Sequence, residues 1–91
     1  MYRLTVEDIK KFKIEEGSEA FYIDTSKDLK QLMAKYSKKG YFWLSGEKPD
    51  DFNPWWTWAA ADGYVIGVFE NRIWCSPTDL EDFEEKIGHK I

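Results

Sequence analysis

The sequence predicts a small α+β fold: a mostly antiparallel sheet of four to five strands, a main helix, a C-terminal helix and a short N-terminal helix. Three observations carry this. Residues 26–39 have the start, stripe and stop of an amphipathic helix. Short aromatic and β-branched runs recur at 20–24, 41–44, 64–69 and 72–75. The last two runs are separated by only two residues, a spacing that calls for an antiparallel hairpin. A chain of 91 residues builds one domain with one modest core.

Taken in order, Thr5 is placed to cap a first short helix, with Asp8 three residues on to close a capping box. Val6, Ile9 and Phe12 recur at helical spacing, and the helix is expected to end by Glu16-Gly17. Ala20 to Asp24 is the first predicted strand. Thr25 then caps the main helix, and Asp28 lies at its third position, where a carboxylate meets the positive end of the dipole. Leu29, Leu32, Met33 and Tyr36 form one apolar stripe, and Gly40 stands where a left-handed stop is wanted. Tyr41-Phe42-Trp43-Leu44 is apolar on both faces, which predicts a central strand. With the first strand and the main helix it makes a βαβ-like unit, whose two strands are either neighbours or separated as in split topologies.

Ser45-Gly46 breaks this strand, and 47–54 is a polar loop with two prolines. Trp55-Trp56-Thr57-Trp58 follows. Asp62-Gly63 is a turn signal, Tyr64–Phe69 a strand, Glu70-Asn71 a two-residue turn, and Arg72–Cys75 the return strand. Gly67 within its strand marks a bulge or a close approach. Ser76 is read as the cap of the last helix, with Pro77 at its first position and Thr78/Glu81 as a competing capping box. Leu80, Phe83 and Ile87 are its buried stripe, and Gly88 ends it. The three closely spaced C-terminal strands, the Trp run included, are expected to form an antiparallel meander.

Composition narrows the function classes. The apolar runs are too short to span a bilayer, and no leader-like opening is seen. One cysteine, Cys75, rules out an internal disulfide framework and a cysteine-based zinc site, and fits a reducing cytoplasm. The net charge of -4 is uneven: residues 1–45 hold nine Lys/Arg and seven Asp/Glu, while 46–91 hold four and ten. A direct nucleic-acid binder carries a basic excess. An acidic half suits a basic partner surface instead.

No catalytic pairing emerges. His89 stands near the end of the chain with nothing to orient it, and Cys75 reads as a buried, inert thiol. Asp50-Asp51 with Glu47 and Asn53 do not have the spacing of a calcium loop, so no metal or cofactor is expected. Ser45-Gly46-Glu47-Lys48 lacks the glycine pattern of a phosphate cradle. Two features remain. Asp79, Glu81, Asp82, Glu84 and Glu85 crowd the last helix and must face water, where they form either a solvated face or, with Asp50, Asp51, Asp62 and Glu70, a surface that imitates phosphate spacing. Three of the five tryptophans, Trp55, Trp56 and Trp58, lie within four positions. In extended backbone Trp55 and Trp56 point to opposite faces, so at least one of the three is expected to be exposed, as an interface anchor or a stacking platform.

The segment Lys39-Gly40-Tyr41-Phe42-Trp43-Leu44-Ser45-Gly46-Glu47-Lys48-Pro49 resembles a pattern in small proteins encoded by phages and prophages of Gram-positive bacteria. The resemblance covers roughly residues 20–50. That group includes inhibitors of bacterial defence such as anti-CRISPR proteins, and the resemblance supplies no catalytic residues. Taken together with the acidic C-terminal half, the Trp run, the single cysteine and the lack of a catalytic pairing, it favours a non-enzymatic inhibitor in the cytoplasm of a bacterial host. Such a protein would bind a host protein or nucleoprotein complex with a basic surface, through an aromatic anchor (Trp55, Trp56, Trp58) and acidic residues (Asp50, Asp51, Asp79, Glu81, Asp82, Glu84, Glu85). It would make no direct nucleic-acid or membrane contact. The alternative is a small-ligand module that holds a nucleotide or sugar on the Trp cluster.

Overall fold

The computed structural model describes residues 1–53 and 61–91. Five strands make one sheet in the order β1-β2-β4-β5-β3, with β1 at Tyr2–Arg3, β2 at Glu19–Ile23, β3 at Phe42–Trp43, β4 at Tyr64–Phe69 and β5 at Arg72–Pro77. Three pairings are antiparallel and one, β3 with β5, is parallel, so the sheet is mixed. The helices are α1 (Val6–Lys11), α2 (Ser26–Lys38) and α3 (Leu80–Ile87), with a 3-10 turn at Pro49–Asp51.

Strand alternation sorts the core into two halves. Phe21, Ile23, Tyr64, Ile66, Val68 and Ile73 face α2 and its stripe Leu29, Leu32, Met33 and Tyr36. Ala20, Tyr22 and Val65 face the other way, onto Leu4, Phe83 and Ile87. The sheet is therefore sandwiched, with α2 and the 3-10 turn on one side and α1 with α3 on the other. On the second side Phe83 is the hub. Its ring stacks on Tyr22 at 4.3 Å and on Phe12 at 5.3 Å, and Tyr2 meets it edge-on at 5.8 Å.

The main helix follows its predicted logic. The Thr25 hydroxyl accepts from the Asp28 N–H at 3.2 Å. Gly40, at φ 75, closes a Schellman turn in which the Tyr41 N–H reaches the Tyr36 carbonyl and the Gly40 N–H reaches that of Ser37. The apolar contact that accompanies such a turn is here the Tyr36–Tyr41 ring stack, at 5.5 Å. α1 has both reciprocal bonds of its Thr5/Asp8 capping box and ends at Lys11, within the expected limit of Glu16-Gly17. Lys13, at φ 56, is the left-handed residue of a second Schellman turn, with Ile14 N–H donating to the Ile9 carbonyl.

Two expectations are corrected, and one strand is added. The strand predicted to be central, Tyr41–Leu44, is the two-residue edge strand β3. β2 and β3 are split by β4 and β5. Its apolar residues are covered by local groups rather than by sheet neighbours on both sides. Trp43 is buried, the Arg72 guanidinium lies over the Phe42 ring, and Leu44 is 67 % exposed. Its outer edge is turned in on itself, since the Trp43 N–H donates to the Glu47 carbonyl and the Gly46 N–H to that of Trp43. Next, Ser76 and Pro77 do not open the last helix. They belong to β5, where Pro77 lies opposite Tyr64, and Asp79 holds the N-cap. Finally β1 carries no alternating pattern and was not foreseen. The Trp run of the expected meander lies outside the described residues, while β4 and β5 form its predicted hairpin about Glu70-Asn71, with Glu70 at φ 57.

Two glycines are fixed by close approach. Gly67 lies directly across from Trp74, whose indole occupies the space a Cβ would need. Gly63 plays the same part for the Tyr22 phenol. Its φ is not positive, so contact rather than turn conformation demands the glycine there.

Candidate functional site

The acidic residues of α3 are held by a helix tied at both ends. At its start the tie is reciprocal. The Asp62 carboxylate accepts from the Leu80 N–H at 3.1 Å, and the Asp79 carboxylate accepts from the Asp62 N–H at 3.1 Å. Asp62 thus satisfies an orphan donor of the first turn from outside the helix. Close by, the Tyr22 hydroxyl donates to the Thr78 carbonyl at 2.9 Å and the Thr78 N–H to that of Gly63 at 3.0 Å. At the far end the Lys11 ammonium donates to the Ile87 carbonyl at 2.9 Å, a cation on the negative end of the dipole. Between the ties Phe83 and Ile87 are buried. The helix cannot roll without exposing both.

Five carboxylates were predicted to face water here, and the structure divides them. Asp79 is spent on Asp62. Glu84 is half-buried and accepts from the Ile91 N–H at 2.9 Å. Glu81, Asp82 and Glu85 are exposed and make no ion pair among the described residues. They lie at i, i+1 and i+4, so Glu81 and Glu85 share a face with Asp82 beside them. Like charges at this spacing cost a helix a few tenths of a kcal/mol per pair. The two in the first turn recover part of that from the dipole, but Glu85 does not.

Asp50 and Asp51 do not join this ridge. Their 3-10 turn packs on α2 through the buried Pro49, and the Pro49 carbonyl accepts from the Trp43 indole at 3.2 Å. They therefore belong to the opposite side of the sheet from α3, and the single enlarged acidic patch does not form. Trp55, Trp56 and Trp58 lie outside the described residues. Two tryptophans are described: Trp43 is sealed against Phe52 at 4.9 Å, and Trp74 is half-buried over Gly67.

No family model, curated protein or solved structure matches the chain.

The remaining chemical groups are quiet. Burial pushes the Cys75 thiol up to about 12, which leaves it protonated and a poor nucleophile near neutral pH. His89 is exposed, its ring edge-on to Tyr2 at 6.2 Å. Its charge reaches Asp8, but that carboxylate is committed elsewhere. Asp8 Oδ2 accepts from the Tyr2 hydroxyl at 2.6 Å and from the Thr5 N–H at 3.1 Å. Burial alone would raise the Asp8 carboxyl. The bonds from Tyr2 and Thr5, with His89 adding, outweigh burial and hold it below the usual carboxylate range. No group of three or more His, Cys, Asp or Glu suited to a metal occurs among the described residues, and none of their helices is long and apolar enough to cross a membrane.

Sequence reasoning passed over two features. Asp62 caps α3 from 18 residues away, with no local signal. A cleft beside α1 is lined by residues that are unremarkable one by one: Arg3, Val6, Ile9, Lys10, Ile14 and Ser18 among them.

Proposed function

We propose that this chain acts by binding rather than by catalysis. In this reading the Glu81/Asp82/Glu85 ridge of α3 docks on a basic surface of a host protein or nucleoprotein complex and blocks it. The observation that carries the reading is that these three carboxylates are exposed, and without an ion pair among the described residues, on a helix pinned at both ends. A pinned ridge loses little freedom on docking, which favours affinity. An unpaired one keeps its field for steering a cationic partner. The likeness of residues 39–49 to small phage proteins points to the same class, an anti-defence inhibitor of the anti-CRISPR kind in the cytoplasm of a bacterial host. On sequence grounds Trp55, Trp56 and Trp58 would supply the aromatic anchor.

The test is affinity capture from lysate of a Gram-positive host with three baits: the native chain, a Glu81→Lys/Asp82→Lys/Glu85→Lys variant and a Trp55→Ala/Trp56→Ala variant. The reading expects a captured complex, inhibited in its own activity, that the charge variant loses. It also expects capture by the native chain to fall steeply between low salt and about 0.5 M, where exposed charges are screened beyond a few Å. Identical capture by all three baits overturns it.

A further inference from the structure

α2 and α3 carry opposite charges in matching patterns. Lys35, Lys38 and Lys39 lie at i, i+3 and i+4 on the last turn of α2 and its cap, and all three are exposed. Read from its C-terminal end, α3 presents Glu85, Asp82 and Glu81 at the same spacing, also exposed. On a helical surface each set makes a triangle about one turn tall, with one residue at the tip and two side by side at the base. Face to face and antiparallel, the two triangles superimpose: Lys35 falls against Glu85, Lys38 against Glu81 and Lys39 against Asp82. A parallel arrangement sets tip against base.

Both sets keep an excess of charge. None of the three lysines makes an ion pair among the described residues, and the one acid of α2, Asp28, is taken by the Met1 ammonium at 3.3 Å. Glu19 is within electrostatic reach of Lys35 and Lys39, but Arg3 reaches it too and the Tyr36 hydroxyl already donates to it at 2.8 Å, so a positive excess remains. Asp50 and Asp51 belong to the 3-10 turn beside Leu29, Lys30 and Met33, earlier in the helix. The Lys35 and Lys39 ammonium groups lie over the Tyr36 ring at 5.5 and 5.8 Å, which limits the freedom they lose on pairing. On α3, the Lys86 ammonium lies over the Phe12 ring at 4.9 Å and makes no ion pair among the described residues.

α2 and α3 cover opposite sides of the sheet, so the two sets cannot meet within one chain. We propose that they meet between chains: the lysine triad of α2 in one copy docks antiparallel on the acidic ridge of α3 in the next. The contact is head-to-tail, so every assembly ends in an unused α2 and an unused α3, and copies add in a row. At a net charge of -4 per copy a row accumulates charge, which keeps it short. The ridge is the one used in the docking proposal, so self-association withholds it at high concentration, but the contact itself requires no host partner.

The experiment is sedimentation equilibrium of the purified chain. Exposed ion pairs are individually weak, so a Kd on the order of 0.1–1 mM is expected at about 20 mM salt, with association lost by about 0.5 M. Two variants, Glu81→Gln/Asp82→Asn/Glu85→Gln and Lys35→Gln/Lys38→Gln/Lys39→Gln, should each be monomeric. Their equimolar mixture should give a one-to-one complex and nothing larger, because a single complementary contact is left. Lys35→Glu and Glu85→Lys should each weaken association about fivefold, and the two together in one chain should restore it, since the charges are exchanged across the contact. All these positions are exposed, so the variants keep the fold, which circular dichroism checks. A native chain that stays monomeric at about 2 mM in low salt overturns the proposal. So does a triple variant that still associates, or a mixture that stays monomeric or grows past two copies. Failure of the Lys35/Glu85 exchange overturns the antiparallel register. The lysine variant keeps the ridge intact, so its capture of a partner from lysate is scored apart from its self-association, and the two proposals fail separately.

Discussion

Replacing Gly63 by alanine tests the junction that aims α3. The added methyl would fall on the hydroxyl end of Tyr22 and 3.0 Å from the Ile23 carbonyl. The phenol has no room to retreat. Tyr22 is 2 % exposed, stacked on Phe83 at 4.3 Å and tethered to the Thr78 carbonyl at 2.9 Å. Overpacking of this kind costs about 1–3 kcal/mol, and loss of the Tyr22–Thr78 bond adds about 1 kcal/mol. Gly63→Ala is therefore expected to destabilise by about 2–4 kcal/mol. Tyr22→Phe alone removes only the bond, at about 1 kcal/mol. In the double variant the untethered ring can shift away from the methyl, so the combined cost should fall short of the sum by at least about 1 kcal/mol. Urea unfolding followed by circular dichroism, with the slope unchanged between variants, measures all three. A cost below about 0.5 kcal/mol for Gly63→Ala, or additivity within about 0.5 kcal/mol, would refute this account of the glycine.

Other expectations follow from the same packing. Phe83→Ala should cost about 3–5 kcal/mol, because three aromatic rings lose their common contact, and Phe83→Leu much less. Lys13→Gly should raise stability by about 0.5–1 kcal/mol, since the position is left-handed; a loss would mean the side chain has an unseen role. Glu19 is held below the usual range by the Tyr36 hydroxyl, against the effect of burial, and Asp8 is held low as described above. Groups with depressed folded values lend stability above the ordinary carboxylate range and lose it as pH falls through about 4.5 and below. An acid titration of Asp8→Asn should accordingly show a shallower acid limb. Tyr2 is pushed up to about 12 by its bond to Asp8, by burial and by the Asp8 charge, so its contribution is complete below about pH 10 and fades toward 12, an arm that Tyr2→Phe should lack. Glu85→Lys should gain a few tenths of a kcal/mol by relieving like charge on α3, yet weaken partner capture.

What was legible in the sequence depended on how far apart the deciding residues lie. Thr25, Asp28, the Leu29–Tyr36 stripe and Gly40 settle α2 within one window, and Glu70-Asn71 settles the β4–β5 hairpin. Where the deciding partner is remote, local reading failed. Ser76-Pro77 has the form of a helix start, but Asp62 and Gly63 hold the chain extended through Thr78 and hand the cap to Asp79. Tyr41–Leu44 reads as central because every residue is apolar, whereas Tyr36, Arg72 and the 47–53 loop supply its cover at the edge. The candidate ridge was legible as a set of exposed acids, since the buried stripe fixes which face is wet. That Asp50 and Asp51 fall on the far side was not, because only the strand order decides it.

The hub at Phe83 has a consequence for the order in which the protein forms during synthesis. The α2 side of the core draws its buried residues from 21–73, so it can close once β5 has emerged. The α1 side needs Phe83 and Ile87 as well, and until they arrive Tyr22, Val65 and the half-covered Trp74 line an open face. While Phe83 and Ile87 have yet to dock, the chain is thus a half-covered sheet whose α1 face is the one vulnerable to misassociation. The contacts from Phe83 to Tyr2, Phe12 and Tyr22 span more than 60 residues, so their loop closure should set the slow step of refolding.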